Sequence, residues 1–137
     1  MKIRLLTVGK TSESFLEEGI QKYMKRIYRY VKFEIQTVKD VKASKSMPVK
    51  TLKAKEATEI LKLLKKDDFL VLLDEKGKDM TSEKFASYIQ NKMITNVSNL
   101  VFLVGGAYGF SEKIYQTAKE KISLSKMTFS HQLIRLI

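Results

Sequence analysis

The stretch Leu100–Ser111, LVFLVGGAYGFS, places three of the chain's six glycines directly after an unbroken apolar run. Two kinds of chemistry would put glycine there. One is a tight turn leaving a buried strand; the other is a ligand held so close to the backbone that a side chain would obstruct it. The spacing Gly105-Gly106-Ala107-Tyr108-Gly109 is not G-x-G-x-x-G and falls late in the chain, so a dinucleotide fold is a poor match. No phosphate-binding G-x-x-x-x-G-K-[ST] occurs either, which argues against a nucleoside triphosphatase.

Other groups able to do chemistry are few. His131 is the only histidine, able either to assist a proton transfer or to fill the first turn of a helix. Asp74 and Glu75 form an adjacent carboxylate pair that could work as acid and base, or cap a turn. With no cysteine, disulfides and thiolate chemistry are excluded, and a dedicated zinc site is not expected. No metal is called for.

These residues must be held by a regular framework, and the 137-residue chain suits one domain over residues 1–137. Lys2–Val8 reads as a strand ending at Gly9. From Ser12 to about Tyr30, apolar residues at Phe15, Leu16, Ile20, Tyr23, Met24, Ile27 and Tyr28 keep the period of an amphipathic helix. Ser14 and Glu17 have capping-box spacing, with Ser12 a second candidate cap. Phe33–Val38 is a second strand, and the lysine-rich stretch Lys39–Pro48 a loop. A helix follows over Val49–Lys65, with Leu52, Ala57, Ile60, Leu61 and Leu64 inward. Phe69–Leu73 is a wholly apolar strand with a turn around Gly77. Thr81–Met93 is helical, Asn99–Val104 is a strand, and Ser111 caps a helix reaching about Lys121. Ile122–Ser125 is a last short strand before a C-terminal apolar helix. Strands alternating with helices predict an α/β fold, a mostly parallel sheet flanked by helices. In such sheets ligands bind beyond the carboxyl ends of the strands, so Asp74–Lys78, Gly105–Gly109 and Ser125–Phe129 are expected to converge.

Taken together, LTVGK, LDEKGK, FLVGGAYGFS and LSKMTFSHQLIRLI are similar, in order and spacing over the whole chain, to the RlmH (YbeA) family of ribosomal RNA methyltransferases in the SPOUT superfamily. The resemblance implies a SPOUT-type fold with a C-terminal trefoil knot, a homodimer, and S-adenosylmethionine as cofactor. The implied reaction methylates N3 of a pseudouridine in 23S rRNA of the large ribosomal subunit, free or in the assembled ribosome. The implied cofactor contacts are Leu73, Gly105, Leu124, Ser125, Lys126, Met127, Thr128 and Phe129, and His131 is the catalytic candidate within these residues. Relatives commonly read MTFPHQ where this chain has Ser130, itself a good helix cap. They also carry a further C-terminal helix and tail, with a Tyr-Arg pair and a terminal Tyr-His, beyond the motif that ends here. Two alternatives remain open at this stage: a non-catalytic basic rRNA-binding module, and a SPOUT methyltransferase acting on tRNA or a ribose hydroxyl.

Charge points to the partner. The formal net charge is +11. Residues 1–66 hold 17 basic and 7 acidic side chains, whereas residues 67–137 hold 9 and 8. A polyanion is the expected partner of the first half, ahead of a membrane surface. Lys22, Lys25, Arg26 and Arg29, off the apolar stripe of their helix, are the candidate RNA contacts, with Arg135 a fifth. The N-terminus reads as a strand rather than a leader, and no apolar run approaches the ~20 residues needed to span a bilayer. A cytoplasmic location is expected.

Overall fold

A computed structural model describes residues 1–137. Its elements are β1 (Lys2–Val8), α1 (Ser14–Ile27), β2 (Lys32–Val38), α2 (Val49–Leu63), β3 (Asp68–Asp79), α3 (Ser82–Ile94), β4 (Asn99–Val104), α4 (Glu112–Thr117) and β5 (Glu120–Ser123). A single 3-10 turn, Leu133–Arg135, follows. The five strands form one sheet in the order β2-β1-β4-β3-β5, with every pairing parallel. The α/β architecture expected from the sequence, a parallel sheet flanked by helices, is present.

Alternation along β1 sorts the two faces. Leu6 and Val8 join Ala57 and Ile60 of α2 and Ile114 of α4 in one core; Ile3 points the other way, with Phe102 and with Phe85 and Ile89 of α3. The β1-to-β2 and β3-to-β4 crossings step in one direction and the other two crossings in the opposite one. Right-handed crossovers therefore put α1 and α3 on one face and α2 and α4 on the other. Leu70, Val71, Leu72, Leu100, Val101 and Leu103 are almost wholly buried, as strands covered on both faces must be.

Four local expectations give way to the structure. Glu13, not Ser14 or Ser12, occupies the N-cap of α1, and no side chain caps it. Phe15, Tyr23 and Tyr28 are exposed, so only Leu16 and Ile20 of that helix's stripe are buried. Gly77 lies within β3 instead of a turn: Leu73 and Lys78 both stand opposite Ile122, and the residues between form a bulge. A Cβ at Gly77 would lie 2.6 Å from the Ile122 backbone, so only glycine permits this pairing.

The expected C-terminal helix is the fourth. Ser130 Oγ accepts from the Leu133 amide at 3.1 Å, and only one turn forms, with Gln132 at its N-cap. The segment then closes against β1 through side chains. The Arg135 guanidinium donates to the carbonyls of Val8 and Gly9 at 2.8 and 3.0 Å and to Thr11 Oγ1 at 3.2 Å. Gln132 Oε1 accepts from the Ser12 amide, and its Nε2 donates to the Lys10 carbonyl.

Candidate active site

Register builds the site. Leu73 at the turn-out of β3 stands opposite both Val104, the last residue of β4, and Ile122 of β5. Three chain segments therefore leave the sheet side by side. They enclose a cleft of about 340 Å³, lined by Leu73–Glu75, Val104–Ala107, Tyr115, Leu124 and the turn that follows it, His131 and Ile134. Every lining residue comes from the nearly neutral second half of the chain.

Hydrogen bonds shape each wall. The glycine loop closes on itself, with the Gly109 amide donating to the Gly106 carbonyl at 3.2 Å. Gly109 has φ of +81° with open space where a Cβ would point, so it is glycine for its backbone. Gly105 is different. A Cβ there would stand 3.1 Å from the Phe110 ring, so its first duty is to let Phe110 pack into the core. Turn geometry thus accounts for one glycine and close approach for the other. Opposite, Ser123 Oγ donates to the Ser125 carbonyl at 2.8 Å, and Ser125 Oγ accepts from the Met127 amide at 2.9 Å. These bonds curl Leu124–Phe129 over the cleft.

Asp74 serves two partners. Its Oδ1 accepts from the Lys76 amide at 3.0 Å, which caps the bulge, and its Oδ2 accepts from the Tyr115 hydroxyl. Burial, then the hydrogen bond to Asp74 and the charges of Asp74 and Glu75, push the Tyr115 phenol up to about 12. Tyr115 is therefore a fixed neutral donor at physiological pH. Thr128 Oγ1 lies 3.4 Å from Glu75 Oε2, linking the rim of the bulge to the curled segment.

Of the residues singled out from the sequence, Leu73, Gly105, Leu124, Ser125, Met127, Thr128, Phe129 and His131 come together in this cleft. Lys126 does not. Its side chain is exposed and reaches Asp79 at 3.8 Å, so only its backbone belongs to the curled segment. Lys22, Lys25, Arg26 and Arg29 are exposed in or just beyond α1. Beside them are the exposed rings of Tyr23, Tyr28 and Tyr30, with the Arg26 guanidinium 5.4 Å from the Tyr23 ring centre. Arg135 is corrected from RNA contact to internal tie: it is 6 % exposed and its donors are spent on β1 and on the His131 carbonyl. Burial lowers its pKa against the opposing pull of Asp40 and Glu17. Tyr115 and Ile134 were missed, since neither carries a local signal until β3, β4 and the C-terminal turn are brought together.

A second cavity, of about 230 Å³, abuts the first and shares Gly106, Ala107 and His131 with it. Its remaining walls come from the segments at the ends of β1 and β2, from α2, and from Tyr108 and Gln132.

Leu73, Leu124, Phe129 and Ile134 supply apolar walls, and Asp74 and Glu75 set negative charge at one side. A family model described as a predicted SPOUT methyltransferase matches residues 1–137. Among curated relatives, ribosomal RNA large subunit methyltransferase H of Parabacteroides distasonis is 52% identical over the whole chain and 87% of its own length. The proteins of the same name from Bacteroides thetaiotaomicron and Cytophaga hutchinsonii are 50% and 47% identical, over 100% and 99% of this chain and 87% of theirs. The parallel α/β fold and the family match over residues 1–137 make this a SPOUT methyltransferase. Within that class, the chain belongs to the ribosomal RNA large subunit methyltransferase H family. Membership implies S-adenosylmethionine as methyl donor. No helix is long and apolar enough to cross a membrane.

Proposed function

We propose that this protein transfers a methyl group from S-adenosylmethionine to N3 of a pseudouridine in 23S rRNA. The observation that carries the proposal is the cleft at the β3 bulge and the ends of β4 and β5, together with relatives named for large-subunit rRNA methylation over the full chain. When bound, the donor supplies an activated methyl on a sulfonium. The chain's own work is to grip and align it. Leu73, Leu124 and Phe129 would hold the adenine faces, and the backbone at Gly105 and over Ser125–Thr128 would answer its edge. Asp74, held by Tyr115, offers a fixed acceptor on the same wall. Alignment of this kind converts a bimolecular encounter into an in-line transfer.

The reading extends to a knot and a dimer. The return of the C-terminal turn to the end of β1, where Arg135 and Gln132 fasten it, supports a C-terminal trefoil. An apolar cavity of about 260 Å³ lies between α1, α3 and Ile134–Ile137, with Tyr23 and Ile137 exposed beside it. That surface is where a second copy would bury its own equivalent. The basic, aromatic face of α1 is assigned to rRNA, large-subunit or ribosomal, since Lys and Arg meet phosphates and tyrosine faces stack on bases.

The experiment is mass spectrometry of 23S rRNA from a strain lacking the gene, before and after complementation. The expected result is one pseudouridine that loses and regains a base methyl. Unchanged rRNA would refute the proposal.

A further inference from the structure

The second cavity contains a carboxylate that the cofactor cleft does not use. Glu56 sits midway along α2, half-buried, with Oε1 only 3.0 Å from where a Cβ on Gly106 would stand. It therefore lies against the glycine loop that separates the two cavities. The helix around it is rich in lysine, and the neighbouring Glu59 is paired with Lys62 at 2.9 Å. Glu56 takes no part in any of the chain's five ion pairs, although Lys53 is one turn away. Burial, and then the charge of Asp40, raise its pKa above the usual carboxylate value. A half-buried carboxylate kept free of cations costs stability, and such placements are characteristic of working groups.

Its surroundings match one guest. The other titratable groups facing this cavity are Lys10, Asp40, Tyr108 and His131. Tyr108 is exposed at its wall and offers a ring face. Only Gly106, Ala107 and His131 stand between this space and the cofactor cleft. An extruded base is held by an aromatic face and by hydrogen bonds to its Watson–Crick edge. N3–H on that edge is a donor and needs an acceptor before the nitrogen can be methylated.

Resting on the functional reading above, the geometry points to the second cavity as the site of the target base and to Glu56 as the group that takes its N3 proton. The N3–H bond breaks and the proton passes to a Glu56 carboxylate oxygen. The electron pair left on N3 then forms the N–CH3 bond, while the C–S bond of the sulfonium donor breaks with its pair going to sulfur. Protonated Glu56 returns its proton to water. Asp40, in the field of the Arg135 guanidinium, adds negative charge that favours proton uptake by Glu56.

The sign of the linkage separates this role from a structural one. For an acid whose folded-state pKa is raised, the stabilising contribution is complete below the ordinary carboxylate value and is lost as pH rises through the raised one. At neutral pH the ionised Glu56 therefore weakens the fold relative to an amide. Glu56→Gln should melt no lower than the parent at pH 7, with its relative advantage vanishing as the pH falls to 4.5. Its affinity for S-adenosylmethionine should stay within about twofold. Its methylation of pseudouridine-containing 23S rRNA, assayed in the full-length chain, should fall by about a hundredfold or more at pH 7. Raising the pH until the base ionises unaided should restore much of that rate. Glu56→Asp, which retracts the carboxylate by one methylene, should retain the parent's pH profile at a lower rate. The inference is overturned if Glu56→Gln keeps the parent's rate. It is equally overturned if that variant loses rate evenly at all pH values, melts lower, or loses the cofactor. A parent protein that leaves pseudouridine unmethylated would refute the functional reading itself, and the inference with it.

Discussion

The strand-end cleft and the outer face of α1 are built from opposite materials. The cleft is formed by backbone, apolar side chains and a few fixed polar groups, all from a half of the chain whose 9 basic and 8 acidic residues nearly cancel. The α1 face is exposed cation and exposed aromatic ring, drawn from a half with 17 basic residues against 7 acidic. A small cofactor is gripped by shape and by donors that do not move. A long polyanion is gripped by many interchangeable charges, each weak and each sensitive to salt. Under the proposed function, the difference gives specificity to one region and affinity to the other. The second cavity lies between them and draws its walls from both halves.

The hardest blow to that division would come from the α1 face. Replacing Lys22, Lys25, Arg26 and Arg29 together by glutamate should weaken RNA binding on the order of a hundredfold at low salt. The slope of log affinity against log salt should fall by about 3, at ~0.7–0.9 released counterions for each phosphate no longer neutralised. S-adenosylmethionine titrated into the same variant by calorimetry should bind as before. Loss of cofactor affinity would erase the boundary between the regions, and an unchanged salt slope would leave α1 as mere solvated surface.

Arg135 tests whether a cation in the second half can belong to neither region. Arg135→Ala strands the Val8 and Gly9 carbonyls beneath the C-terminal turn. Buried acceptors left without partners cost ~1–3 kcal/mol, so denaturant unfolding should show a loss of about 2 kcal/mol. Its RNA salt slope should match the parent's, because the guanidinium faces the interior. A shallower slope would return Arg135 to the phosphate contacts.

Gly105 tests the cleft from the side of its core packing. Valine there drives a branched side chain toward the Phe110 ring, which packs edge-on against Tyr115 at 5.7 Å between centroids. Tyr115 in turn holds Asp74. Cofactor affinity should fall at least about tenfold, with an overpacking cost of ~1–3 kcal/mol in thermal or chemical unfolding. A destabilised variant with parental affinity would mean that Gly105 serves Phe110 alone.

What was legible in the sequence follows from what is local. The bounds of β1 and β4 follow from apolar runs that stop at glycine, and Thr81 and Ser111 cap their helices as their residue types suggest. Periodicity located α1 but overstated its buried stripe, because nothing in the period says which neighbours are present to cover Phe15, Tyr23 or Tyr28. The helix after Ser111 ends at Thr117 because the Lys119 amide donates to the Leu70 carbonyl at 2.8 Å, recruiting the chain into the sheet. That bond spans distant residues and leaves no trace in local pattern. The same holds for the Gly77 bulge, set by a strand yet to come, and for Arg135, whose acceptors lie at the other end of the chain. The motif residues of the cleft were legible through family likeness. Glu56 was not, since a glutamate among lysines on a helix looks like any solvated face.

The smallest effect comes from the most local change in the cleft, Tyr115→Phe. It removes one hydroxyl and leaves the ring packed on Phe110. Asp74 loses the Tyr115 donor but keeps the Lys76 amide, so the carboxylate stays placed and only its orientation loosens. One hydrogen bond to a charged acceptor is worth ~1.5–3 kcal/mol when buried, and solvent at this half-open position reduces that toward ~1 kcal/mol. Cofactor affinity should therefore drop only about threefold to fivefold, read by calorimetry. The pH dependence supplies the sign. A phenol raised in the folded state contributes stability that is complete below its ordinary value near 10 and is lost as pH rises toward about 12. The stability gap between parent and Tyr115→Phe should thus be flat from pH 6 to pH 9 and close above pH 10. A gap that already narrows below pH 9 would show Tyr115 ionising early, and would detach it from the burial and the Asp74 contact that define this wall of the cleft.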